Sequence, residues 1–150
     1  MTNLKEALFQ QCVVHVNMRL QTIQTIISSH QKALSSETKS SAGDKHETGR
    51  AMLQLEMEKA GQQLASVQQM QQTLARVAIA KSSTSVRLGT IIETSSIHYF
   101  LSVSAGKLTV NQTTYFAISA SSPIGQLLVG KQAGDIFHWN GKEIKINNVL

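Results

Sequence analysis

What this chain lacks narrows its identity first. It has a single cysteine, Cys12, so no internal disulfide can brace it, and no Cys/His pair stands at zinc-ligand spacing. That pattern suits a reducing compartment, and a cytoplasmic protein is expected. Uninterrupted apolar runs are only a few residues long, so neither a membrane span nor a membrane partner is expected. The N-terminus is too polar for a secretory signal. No Gly-rich phosphate-binding motif is present. The net charge of +5 is spread along the chain without a basic block, which argues against direct nucleic-acid binding.

Aromatics and proline are also scarce, and their placement is lopsided. Residues 1–80 contain one aromatic, Phe9, and no proline. Residues 81–150 hold the only proline (Pro123), the only tryptophan (Trp139), both tyrosines and three of the four phenylalanines. A globular core needs bulky side chains, whereas paired helices need only an apolar stripe. The composition therefore predicts two parts, 1–80 and 81–150, in an α+β chain.

The first part reads as a helical hairpin. Phe9, Val13, Val16, Leu20, Ile23, Ile27, His30 and Leu34 recur at alternating spacings of four and three, the seam of a coiled coil. A second seam runs through Leu53, Met57, Ala60, Leu64, Val67, Gln71, Leu74 and Ala78. Between them, Ser35 to Gly49 is polar and has no seam. Two matched stripes joined by such a break predict an antiparallel coiled-coil hairpin with its tip near residues 37–50. Because the stripes satisfy each other, a monomer is expected. A coil that instead oligomerises through this seam is the structural alternative.

The tip carries the residues with chemistry. Asp44 and Glu47 stand at i and i+3, so both carboxylates can face one way at the start of the second helix. Such a pair can hold Mg²⁺, which takes one or two protein carboxylates and keeps its waters. The same spacing makes a capping box, with Asp44 as N-cap and Glu47 reaching back to a free amide. Spacing alone leaves both roles open. His46, beside the pair, is the one histidine placed to join it, and a solvated face is its other role.

The second part reads as strands with one short helix. Thr90 to Thr94, Ile97 to Val103 and Tyr115 to Ile118 are β-branched and aromatic. Ser121 to Leu128 suits a helix capped by Ser121 or Ser122, with Pro123 in its first turn. Asn140-Gly141 between Asp135–Trp139 and Lys142–Asn148 predicts a two-residue β-hairpin turn. An antiparallel, strongly bent sheet covered by that helix is expected. Tyr99, Phe100, Tyr115, Phe116, Phe137 and Trp139 fit a core, or the aromatic pocket of a folding helper.

Three stretches, in order along the chain, resemble the bacterial Gre transcript-cleavage factors. Gly43-Asp44-Lys45-His46-Glu47-Thr48-Gly49-Arg50 is similar to the Gly-Asp-x-x-Glu tip of that family's coiled coil. Val86-Arg87-Leu88-Gly89-Thr90 resembles the start of its first C-terminal strand. Ser122-Pro123-Ile124-Gly125, then Leu127-Leu128-Val129-Gly130-Lys131, then Gly134-Asp135, resembles its C-terminal signature. The resemblance implies an FKBP-like C-terminal domain that docks on RNA polymerase, through a loop corresponding to Ser122, Pro123 and Ile124. It implies a coil that enters the secondary channel and reaches the nascent RNA 3′ end indirectly, through the polymerase. Asp44 and Glu47 would then be the catalytic and metal-holding pair, sharing a Mg²⁺ with the polymerase, which remains the enzyme. Lys45, Arg50 and Ala51 depart from the family pattern, since its tip is usually apolar after the Asp and acidic and aromatic after the second carboxylate. Relatives that occupy the channel and inhibit without stimulating cleavage differ mainly at this tip, so a channel-binding regulator is the alternative the same resemblance offers.

Overall fold

The computed structural model describes the backbone of residues 2–39 and 43–150 and the side chains of residues 4–36 and 48–150. Two long helices come first, α1 (Thr2–Lys39) and α2 (Gly43–Ala75). Six strands and a short helix follow: β1 (Ile91–Thr94), β2 (His98–Ser102), β3 (Gly106–Val110), β4 (Thr113–Ser119), α3 (Pro123–Leu128), β5 (Ile136–Trp139) and β6 (Lys142–Val149). By contact the chain divides into two compact units. One is Val16–Met70, and the other joins Met1–His15 to Gln71–Leu150.

In the helical unit the covered positions keep the spacing of the two seams. Val16 and Ile23 on α1 are buried, and Leu20, Ile27, His30 and Leu34 are half-buried. On α2, Ala60 and Val67 are buried, with Leu53, Met57 and Leu64 half-buried. Arg19 donates from Nη1 to Met70 Sδ at 3.4 Å, across from one helix to the other. A 38-residue helix is about 57 Å long at the α-helical rise. Its length is stabilised by the buried stripe, because an isolated helix of such mixed polarity gains little from propensity.

In the other unit the buried positions of α1 shift by one residue. Leu8 and Cys12 are fully buried there, whereas Phe9 and Val13 of the expected seam are only half-buried. The cause is a second neighbour. Cys12 Sγ lies 3.5 Å from Ser102 Oγ on β2, and Gln11 donates from Nε2 to the Thr109 carbonyl on β3 at 2.9 Å. These first turns of α1 therefore lie on the sheet, and their most covered side is the one facing it. At the other helix the seam ends early. Arg76 and Val77 donate to the carbonyls of Thr73 and Leu74 in tightened three-residue turns, α2 stops at Ala75, and Ala78 is exposed.

The strand order is β3-β4-β2-β1-β6-β5. The expectation of a purely antiparallel sheet is corrected here, because β2 and β4 pair in parallel, Tyr99 opposite Phe116 and Leu101 opposite Ile118. Residues 103–105 carry the chain from β2 past one strand position to β3, and the β3–β4 turn then returns β4 into the gap. Two strand spacings are about 10 Å, within reach of that short connection. Strand β3 is an addition to the strands that the sequence pattern predicts. Only Leu108 in that strand is buried, so its edge position leaves almost no alternation to see.

Both faces of the sheet are covered, which is why the central strands read as continuous apolar runs. Ile92, Tyr99, Leu101, Ile144, Ile146 and Phe137 pack with Ile124 and Leu128 of α3. On the opposite face lie Ile91, Phe100, Ser102, Leu108, Tyr115 and Ala117, all buried, the face that Cys12 meets. The β5–β6 turn is the two-residue type expected, with φ of 53° at Asn140 and 76° at Gly141.

Candidate functional site

The acidic motif stands at the start of the second helix. α1 ends at Lys39 and α2 begins at Gly43, so Asp44 is the second residue of α2 and Glu47 the fifth. Asp44 thus lies inside the first helical turn rather than ahead of it. Helical spacing puts residues i and i+3 on one face, and the positive end of the helix dipole favours carboxylates in this turn. The side chains of Asp44, His46 and Glu47 lie outside the described residues, as do any contacts among them. Among the described residues no three His, Cys, Asp or Glu side chains gather in a metal-holding group. The fit to Mg²⁺ therefore rests on residue type and on the i, i+3 spacing of two acidic residues in a helix.

The second candidate is the loop that enters α3. Ser122 is its N-cap. Its hydroxyl donates to the Ser119 carbonyl at 2.7 Å and accepts from the Gly125 amide at 3.1 Å. Pro123 follows at the first helical position, where its missing amide costs nothing. The three residues of the motif are then set differently. Pro123 is exposed, Ser122 is half-buried, and Ile124 is buried in the core against the sheet. Ile124 holds the loop from below, and the surface it offers is Pro123 with the flanking Ser121 and Gln126, whose Nε2 donates to the Ser121 carbonyl at 3.1 Å.

One residue of this loop, Gly125, has a role that its place in the motif does not reveal. A Cβ there would stand 2.0 Å from the Ser119 carbonyl oxygen, so only glycine lets α3 approach β4 this closely. The signal was present as a glycine inside a helical pattern, but nothing local reveals what it touches.

The aromatic residues do not form an open pocket. Tyr99, Phe100, Tyr115 and Phe137 are buried, and Phe116 and Trp139 pack against that core. His98 Nδ1 accepts from the Thr94 amide at 3.2 Å, and its ring lies 5.7 Å from that of Tyr115. Both serve the β1–β2 corner.

No family model matches the chain. No curated protein matches it. Among solved structures, that of the transcription factor Gfh1 aligns over 95% of this chain and 93% of that one, at 17% identity and a TM-score of 0.34, values below those that assign a fold or a family.

Proposed function

We propose that this chain is a Gre-like transcription elongation factor acting on RNA polymerase. In this reading residues 1–80 form an antiparallel coiled-coil hairpin and residues 81–150 an FKBP-like anchor. The anchor docks through the exposed Pro123 and its flanks, with Ile124 and the Ser122 cap fixing their geometry. The hairpin enters the secondary channel and brings Asp44 and Glu47 to a backtracked RNA 3′ end. The two carboxylates would hold a Mg²⁺ shared with the polymerase centre, which when bound supplies the Lewis acid that makes water a nucleophile. The chain's own contribution is to fix two oxygens on one turn of a helix, so that they arrive already oriented. Cleavage itself belongs to the polymerase.

The observation that supports the reading is that α1 ends at Lys39 and the acidic pair lies in the first turns of α2, which begins at Gly43. An antiparallel hairpin of these two helices would present its tip there. A second reading rests on Lys45, which stands between the two acidic residues, and on Arg50, three residues after them. Cations so close offset carboxylate charge, which favours a regulator that occupies the channel without stimulating cleavage.

The test is an assembled, backtracked elongation complex supplied with Mg²⁺. Shortening of the RNA by the wild-type protein, lost in the Asp44→Asn, Glu47→Gln double variant, supports the first reading. Unshortened RNA with the protein still bound to polymerase selects the second. Absence of any association with polymerase overturns both.

A further inference from the structure

Three cations from one twelve-residue stretch meet around a single cleft. Arg76, Lys81 and Arg87 line one cleft of about 250 Å³ in the unit that contains the sheet, together with Ser83, Leu88 and Thr90. No lining residue is acidic. Among the described residues, none of the three side chains forms an ion pair or hydrogen bond, and each cation is exposed. Like charges gathered in one concavity repel unless something of opposite sign occupies it.

The surroundings add positive charge. Lys5, in the first turn of α1 and only 6% exposed, donates from Nζ to the Lys81 carbonyl at 2.9 Å. A fourth cation and the positive end of a long helix therefore lie within a lysine's length of Lys81. The wall is also held in shape. Thr90 Oγ1 donates to the Arg87 carbonyl at 2.7 Å and accepts from the Arg87 amide at 3.2 Å, and the Ser85 amide donates to Ser83 Oγ at 3.2 Å.

The composition of the cleft says what kind of anion it takes. Two guanidinium forks suit the paired oxygens of phosphate. The cleft has no aromatic side chain on which a base could stack, so recognition is of the phosphate and not of the base. Its apolar lining is confined to Leu88 and Ala78, too little for the dry centre of a protein interface. We propose that this cleft is a phosphate-binding site, filled by the phosphates of a free nucleotide or of a nucleic-acid backbone. None of its lining residues belongs to the acidic motif or to the α3 loop.

The test uses the full chain and a short fluorescein-labelled oligouridylate, read by fluorescence anisotropy, with tripolyphosphate and polyglutamate as competitors. Tripolyphosphate is expected to displace the RNA. The Arg76→Ala, Arg87→Ala double variant is expected to lose on the order of tenfold in affinity and to flatten the salt dependence by about 1.4 in log–log slope. A Lys142→Ala, Lys145→Ala variant, which removes equal charge from an exposed strand, is expected to bind almost as the wild type does. All these side chains are exposed, so thermal unfolding checks that the folds match. Direct calorimetry with tripolyphosphate separates the sources. Binding of tripolyphosphate without RNA binding assigns a free nucleotide, and tighter RNA binding assigns the backbone. Displacement by polyglutamate as efficient as by tripolyphosphate overturns the proposal in favour of an acidic protein segment. Equal loss in both double variants, no loss in the arginine variant, or no binding of either phosphate probe overturns it outright.

Discussion

Cys12 Sγ and Ser102 Oγ lie 3.5 Å apart, joining α1 to β2 across 90 residues of sequence, and neither side chain is more than 1% exposed. Burial raises the thiol pKa above its ordinary 9.0, with the Ser102 hydrogen bond acting in the opposite direction. The thiol therefore stays protonated and out of reach while α1 is seated. Labelling by an aromatic disulfide at mildly alkaline pH is expected to be slower than in urea by on the order of a hundredfold or more. Labelling at the unfolded rate would mean that the first turns of α1 do not rest on the sheet. The sign of the pH effect is also fixed. The folded pKa is raised, so the contribution is complete below pH 9.0 and is lost as pH climbs past it.

Lys5 works in the other direction. Burial lowers its pKa below the ordinary 10.5. The unfolded chain then holds this proton more tightly, so stability rises as pH climbs from the folded value towards 10.5. Lys5→Met removes the effect and leaves Cys12 unchanged. The stability of the wild type relative to Lys5→Met is expected to improve as pH approaches 10.5, measured by urea unfolding at a series of pH values. A difference independent of pH would contradict the burial of the ammonium.

Two glycines give opposite outcomes for one substitution. Gly125→Ala puts a methyl 2.0 Å from a backbone oxygen that cannot yield, and a loss of about 2–3 kcal/mol is expected. Gly61 lies in α2 with nothing within 4 Å of an added Cβ. There Ala relieves the entropic cost of glycine in a helix and should add up to about 1 kcal/mol. Urea midpoints of the two variants, moved in opposite directions, test both assignments at once.

Neighbouring residues of the α3 loop separate folding from binding. Ser122→Ala removes the cap on the Gly125 amide, with an expected loss of about 1 kcal/mol. Pro123→Ala removes an exposed ring and should change stability by less than about 1 kcal/mol. If Pro123 is the docking surface, its variant weakens association with polymerase while melting almost normally. The reverse pattern would move the surface elsewhere.

Much of this protein was written in short-range patterns. The seam spacings located both long helices, since a helix buries every third or fourth residue whatever it meets. Asn140-Gly141 located its turn because few other pairs accept positive φ, and Ser122-Pro123 located the start of α3 through capping chemistry. What the sequence left open depends on which elements meet in the folded chain. The parallel β2–β4 pairing, the one-residue shift of burial to Leu8 and Cys12, the space that admits only Gly125 and the union of Arg76, Lys81 and Arg87 follow from which surfaces pack together. Local preference fixes backbone angles, but the neighbours of a side chain are chosen by the burial of the whole chain, and only the folded structure records that choice.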